Sequence, residues 1–392
     1  MKKVFSRRRL TLLLLIIALF GVTSCQAFPA GKTAAGKTVS AHSVLRIALY
    51  VDRGSSGSGV FHWAKLIEFS PQAELVTVTG QDIRNGKLKS VDVLLMPGGY
   101  PTRQYGSMKP EGIKILREWV KNGGGYVGSC AGLTCALNHK ERLRLLPFIR
   151  RPNSGGASGS AQIEISERGA AVLDVKPGKR VVTYASGPIV RPGRKPDADS
   201  TGEVLGVYKN SISYYGKAAG NMFDQPALVY GTLGKGKVIA SSYHPEYRES
   251  TTDLSVGAIY AVSGVKLTPV KPEKSRRPIR VGVSASAMIG HEPIRAAMAL
   301  ERQKHIDVRY FTLPNVDDGD LNHIDVLILL DGIAENNRNF FSRGARWEKL
   351  KEFMDRGGII LASGNAATPL PDHRNLKKLP AGVDFTEYLS DK

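Results

Sequence analysis

The most restrictive feature of this sequence is that one pattern occurs in it twice. The run "SVDVLLMPGG" (90–99) returns as "HIDVLILLDG" (323–332), and "LREWVKNGGGYVGSC" (116–130) returns as "LKEFMDRGGIILAS" (350–363). Each copy gives a continuous apolar run, then an amphipathic one, then glycines and a second apolar run. Uninterrupted apolar strands belong to sheets buried on both faces, hence to parallel sheets flanked by helices. A repeat in fixed order points to two similar units in tandem.

The flanking sequence fits the same pattern. "LRIALYV" (45–51) reads as a buried strand, "GVFHWAKLIEF" as a helix and "AELVTVT" as a strand. In "EGIKILREWVKNGGG", Ile113, Leu116 and Val120 share one helix face, and Gly123 provides the stop. From about 146 to 233 the pattern changes. "AQIEIS", "AVLDV", "RVVTYASG" and "EVLGVY" are short strand candidates between Gly/Pro turns, so an antiparallel insertion is expected there. "GKGKVIASSYHPEY" restores an apolar strand, and "DLSVGAIYAV" predicts a closing helix. "KLTPVKPEKSRRP" is a linker, after which "RVGVSAS", "RAAMALERQKH" and "DVRYFTL" reopen the pattern. The expected fold class is α/β, with two tandem units, each a doubly wound parallel sheet. The first carries an antiparallel β insertion and the second is truncated. The expected division is 1–24, 25–43, 44–265, 266–278 and 279–392: signal, tether, first unit, linker and second unit.

The first two segments come from the N-terminus. Lys2, Lys3, Arg7, Arg8 and Arg9 precede an apolar run from Leu10 to Phe20. That is the layout of a secretory signal, too short for a spanning helix of ~20 residues. Val22-Thr23-Ser24-Cys25 then resembles a bacterial lipobox, which implies a lipid on Cys25; an ordinary signal peptide with a chance cysteine is the alternative. Gln26 in place of Asp favours the periplasmic face of the outer membrane over the inner membrane. The Ser6–Leu10 stretch also loosely resembles a twin-arginine signal. Residues 27–43 read as a flexible tether. The chain is therefore expected to be exported and lipid-anchored to the cell envelope.

The 392 residues carry a formal net charge of +20, with 42% hydrophobic and 23% charged residues, so disorder is not the default. Loss of the signal leaves about +15 (20 − 5). Such a surface suits anionic lipid or glycan neighbours, or is simply solvated. No basic stripe interleaves with aromatics, so no nucleic-acid partner is expected.

Two of the three cysteines, Cys130 and Cys135, are five apart in one segment, a poor spacing for a disulfide. Cys130 lies in Gly128-Ser129-Cys130-Ala131-Gly132. A strand turning sharply into a helix strains its central residue and needs small neighbours at −2 and +2. It lifts the central side chain into the cleft at the end of the sheet, the logic of the nucleophile elbow. The following helix N-terminus favours the reactive thiolate. These glycines also suit simple helix–sheet packing around an inert thiol. "SYHPEY" supplies His244 and Glu246, two apart at a strand end, as base and orienting acid. "MPGGY" offers the amides of Gly98 and Gly99, with that of Ala131, as an oxyanion hole.

Together "PGG…GGGYVGSCAG…HPE" resembles the class I glutamine amidotransferase superfamily over about 45–262. The Gly-Gly-Gly-Tyr run is more narrowly similar to the amidotransferase-like domain at the N-terminus of some biotin–protein ligases. The resemblance implies a flavodoxin-like fold and a Cys-His-Glu triad: Cys130 nucleophile, His244 base, Glu246 its orienter. It does not imply biotin ligation, since the second half has no ligase signature. An exported chain lacks ATP for synthesis, and exported superfamily members use the triad for amide hydrolysis. The second copy sets Ser363 opposite Cys130, but Leu361 replaces the glycine at −2 and no His-x-Glu follows, so it is expected to be non-catalytic, either a pseudo-dimer half or a docking surface for an envelope partner.

The expected activity is hydrolysis or transfer at an amide-type bond in a small molecule or peptide, through a thioester. The competing reading is a binding or scaffolding lipoprotein that keeps the fold without the chemistry. No cofactor is expected, and no His, Cys and carboxylate set has zinc-like spacing. His62 and Cys135 are expected to pack, His291-Glu292 to cap a helix, and "RPGRKPDADS" (191–200) to form a surface turn or gate the cleft.

Overall fold

A computed structural model describes residues 44–152, 156–214, 217–218, 221–284, 290–311, 320–330, 344–364 and 370–379. The expected signal, Cys25 and the expected tether lie outside these residues. Among the described residues no helix is long and apolar enough to cross a membrane.

The first unit is one nine-stranded sheet. Its parallel half holds β1 (Leu45–Tyr50), β2 (Ala73–Val78), β3 (Val93–Met96), β4 (Gly125–Ser129) and, later in the chain, β13 (Gly236–Ser241), in the order β2-β1-β3-β4-β13. β1, β3 and β4 are buried at nearly every position, which is why they read as unbroken apolar runs. The insertion does not form a separate layer. It supplies β5 (Phe148–Arg150), β6 (Ser158–Ile165), β7 (Gly178–Ala185), β8 (Val190–Pro192), β9 (Glu203–Tyr208), β10 (Ser213–Tyr214), β11 (Lys217–Ala218) and β12 (Pro226–Leu233). Of these, β12, β9, β6 and β7 extend the same sheet beyond β13, antiparallel at each step.

Helices α1 (Gly57–Glu68), α2 (Gly80–Arg84), α3 (Pro101–Lys121), α4 (Ala131–Ala136), α5 (Glu167–Leu173) and α6 (Thr252–Ser263) cover the sheet. One core joins Trp63 and Ile67 of α1 with Leu254 and Ile259 of α6; the other joins Met108 and Leu116 of α3 with Leu133 of α4. The "AVLDV" strand expected within the insertion is instead the end of α5. Ser166 Oγ accepts the Gly169 amide at 3.0 Å to cap its start, and Asp174 ends it in the left-handed region at φ 53°.

The second unit is all parallel: β14 (Ile279–Ser284), β15 (Ile306–Phe311), β16 (Val326–Leu329), β17 (Ile359–Ser363) and β18 (Leu376–Leu379), in the order β15-β14-β16-β17-β18. Helices α7 (Glu292–Glu301) and α8 (Gly344–Asp355) accompany it. Edge strand β18 is a finding the sequence pattern did not announce. The repeat extends to single bonds. Asp92 accepts the Arg46 amide (2.8 Å) as Asp325 accepts that of Arg280 (3.0 Å). Both aspartate amides return a bond to the same arginine's carbonyl. No antiparallel extension follows β18 among the described residues. The units share a core, in which Ile294 and Met298 of α7 join the α1 side of the first sheet.

Candidate active site

Cys130 sits where β4 becomes α4, at φ 52° and ψ −102°, a conformation that costs an L-residue energy. The glycines on either side make the turn possible. A Cβ on Gly128 would come within 2.8 Å of the Gly132 carbonyl carbon, and one on Gly132 would overlap the Met96 carbonyl oxygen. The Cys130 amide donates to Ser241 O at 2.8 Å, tying the elbow to β13.

β13 runs into "SYHPEY", which brings the other two predicted residues to the same place. His244 Nδ1 meets Glu246 Oε1 at 2.8 Å, and both side chains are buried. Glu246 Oε1 also accepts a 3.4 Å bond from Ser129 Oγ, next to the cysteine. The Cys130 thiol is close enough to the ring to favour its charge; with Nδ1 on Glu246, Nε2 is the nitrogen left to act on it. Burial opposes charge on the ring, but Tyr247, Glu246 and Cys130 together outweigh it and raise the His244 pKa well above its ordinary value.

The loop of Gly98 and Gly99 closes against this ring. A Cβ on Gly98 would overlap His244 Cε1. The Gly98 carbonyl takes the Ser56 amide at 2.8 Å, and buried Gln104 Nε2 holds Pro97 O at 2.9 Å. Among the described residues the amides of Gly98, Gly99 and Ala131 donate to no other protein group. The arrangement thus gathers a thiol, an imidazole, a carboxylate and unused amides at the carboxyl ends of β3, β4 and β13, where open α/β sheets place ligands.

The insertion covers the thiol. Cys130 is only 6% exposed, and its Sγ lies 3.4 Å from Ala185 O at the end of β7. The His244 amide donates to Thr183 O at 2.8 Å on the same strand.

Four residues were not singled out from the sequence: Tyr247, Ser129, Gln104 and Ala185. Tyr247 stacks on His244 with centroids 4.3 Å apart and planes at 8°. Its place directly after His-Pro-Glu was the available signal; a carbonyl such as Ala185 O has none. Cys135 is buried, its thiol is pushed up to about 12 by burial, and it donates to Oε1 of the same Gln104 amide at 3.4 Å. Both Cys130 and Cys135 are free thiols.

Other predicted positions are ordinary. His291 stands at the start of α7 but does not cap it; its ring bonds Thr77 Oγ1 (2.6 Å) and faces Asp82 Oδ2 (3.2 Å) of the first unit. The 191–200 loop is pinned by Asp197 to Arg117 at 2.5 Å and to Lys121 at 3.6 Å, which argues against a gate. Ser363 ends β17 and is buried. Among the described residues no group of three His, Cys, Asp or Glu side chains is placed to hold a metal.

Comparison with known proteins gives a partial match. Residues 45–139 match the family model described as biotin-protein ligase, N terminal. The match runs from β1 past α4 and includes Gly98, Gly99 and Cys130; it ends before His244 and Glu246. An uncharacterized protein of Chlamydia muridarum is 26% identical over 221 residues, covering 52% of this chain and 80% of that one. Among solved structures, a putative thua-like protein from Bacteroides uniformis is 16% identical at a TM-score of 0.40, covering 58% of this chain and 95% of that one. A beta-galactosidase from Bacillus circulans is 12% identical at a TM-score of 0.38, covering 59% of this chain but 32% of that one.

Proposed function

We propose, from the biotin-protein ligase N-terminal match and the side chains gathered around Cys130, that this chain is a thiol hydrolase or transferase acting on an amide-type bond. The observation that carries the reading is the 2.8 Å contact of His244 with Glu246, made by a ring near enough to the Cys130 thiol for the thiol to favour its charge. Nothing in a structural role for the thiol calls for a buried carboxylate behind a buried imidazole, since burying both costs energy unless each is used.

In this reading His244 Nε2 takes the Cys130 proton and Sγ attacks the amide carbonyl carbon. The oxyanion formed is met by the amides of Gly98, Gly99 and Ala131. The C–N bond breaks as His244 returns the proton to the leaving nitrogen, giving a free amine and a thioester on Cys130. Water then adds to the thioester carbon, passes its proton through His244 to Sγ, and releases the acid. Glu246 holds the tautomer and balances the imidazolium throughout. We place this enzyme in the cell envelope, anchored by lipid at Cys25, with its basic surface toward anionic neighbours.

A second reading has its own support. The cover of Ala185 over a nearly buried thiol suits a non-catalytic binding lipoprotein that keeps the fold. The rate of iodoacetamide labelling at Cys130, read by peptide mass spectrometry across pH, separates the two. The enzyme reading expects labelling that proceeds below pH 8 and falls about tenfold or more in His244→Ala, in keeping with the 10²–10⁴-fold scale of acid–base assistance. Slow labelling indifferent to His244 would reject it.

A further inference from the structure

The junction between the two units leads into the site. Helix α1 is the shared element. The Phe61 ring stacks on Tyr310 of β15 with centroids 4.5 Å apart and planes at 1°. The next residue, His62, meets the edge of Tyr310 at 5.7 Å and 72° on one side and Tyr247 at 5.5 Å and 52° on the other. Tyr247 in turn lies flat on His244 at 4.3 Å. Its hydroxyl bonds Ser58 Oγ (2.8 Å) and Ser56 Oγ (3.2 Å), both at the start of α1. On the second unit, the Tyr310 hydroxyl donates to Glu301 Oε1 at 3.2 Å, and the same carboxylate receives Lys65 Nζ of α1 at 2.7 Å.

Glu246 restrains the His244 ring through Nδ1 and leaves its face and its Cε1 edge to other groups. Presenting Nε2 to Cys130 requires packing on the rest of the ring. Gly98 closes on its Cε1 edge and Tyr247 on its face. Tyr247 has no aromatic neighbour except His244 and His62 among the described residues, and His62 is backed by Tyr310. Acyl transfer as such uses none of Tyr247, His62 or Tyr310.

We infer that the second unit is a positioning element of the catalytic site, acting through Tyr310, His62 and Tyr247 on the orientation of the His244 ring. The inference rests on the reading of Cys130, His244 and Glu246 as the catalytic set. It gives a role to a copy whose own elbow position carries Leu361 in place of glycine. The charged and titratable groups facing His244 are Tyr247, Glu246, Cys130 and His62; those facing His62 are Tyr247, Tyr310, Glu246, Lys65, Glu301 and His244.

The test is Cys130 labelling against pH in the full chain, comparing wild type with Tyr310→Ala, Tyr310→Phe and His62→Leu. Loss of one aromatic contact predicts labelling slowed about threefold to tenfold in Tyr310→Ala, with a shifted pH profile. Tyr310→Phe keeps the ring and is expected to restore both. A purely structural Tyr310 would lower the melting temperature without moving the pH profile. Should Tyr310→Ala fail to fold, His62→Leu breaks the same path while leaving Phe61 on Tyr310, with the same expectation. Wild-type profiles in the variants, alongside wild-type labelling that depends on His244, would overturn the inference and leave the catalytic reading intact. Wild-type labelling that ignores His244 would overturn the reading and the inference together.

Discussion

At the scale of single residues, the elbow is a matter of which positions tolerate a Cβ. Gly132 would set one on the Met96 carbonyl oxygen, which is backbone and cannot step aside. Gly132→Ala is therefore expected to cost about 1–3 kcal/mol, the usual toll of overpacking. Gly106 is the control. It is an exposed position within α3, where an added Cβ meets nothing within 4 Å. Gly106→Ala is expected to be neutral or to gain up to about 1 kcal/mol by stiffening the unfolded chain. Urea denaturation of the two variants beside wild type checks both signs, and similar losses in the two would defeat the argument. These are also the positions where the sequence was most readable. The −2 and +2 glycines announce the elbow because no other residue fits there. Gln104 and Ala185 were not readable, because one acts by filling a buried polar niche and the other through a carbonyl that every residue has.

At the scale of elements, what could be read followed burial. Strands β1, β3, β4, β16 and β17 are apolar on both faces, so their type and the α/β class were plain from pattern alone. The insertion was harder. α5 packs only Gly169, Ala170 and Leu173 inward, and its short apolar run cannot be told from a strand by periodicity. Its cap at Ser166 was the one available clue. Strand β18, "LKKL", shows two exposed lysines and was invisible for that reason. The long helix α3 was read only in its second half, because it contains a break. Pro110 lies inside it, and Lys109 before it takes φ 59° and ψ 168°. The proline ring bars helical backbone at the residue before it, and a lysine in that region is strained. Lys109→Gly is expected to raise stability by about 1 kcal/mol, read as a higher melting temperature. A lower one would mean that the lysine side chain contributes more than its backbone costs.

At the scale of the whole molecule, the duplication was legible and the use made of it was not. Nothing in the sequence says that α1 faces α7 and β15, because the residues concerned, Phe61, His62, Lys65, Glu301 and Tyr310, are spread over 250 positions and carry no motif. Their packing does make the junction sensitive to acid. His62 is held below its ordinary pKa by burial, opposed by Glu246 and Glu301 and assisted by Lys65. His291, bonded across the junction to Thr77, is likewise held down by burial, against the pull of Asp82. A folded-state pKa below the unfolded value means that the unfolded chain takes up the proton first. Stability is then lost as pH falls below about 6.5, the unfolded histidine value, toward the folded pKa. His244 has the opposite sign. Its raised pKa gives stability that is complete below about 6.5 and is lost as pH rises through the folded value. The melting temperature of the chain between pH 5 and 7 therefore carries two opposed histidine contributions. Replacing His62 by Phe and His291 by Gln removes only the acid-sensitive one. The double variant is expected to lose less stability than wild type between pH 7 and pH 5. An unchanged acid slope would show that the junction does not sense the two histidines, and that the units are held by their shared apolar core alone.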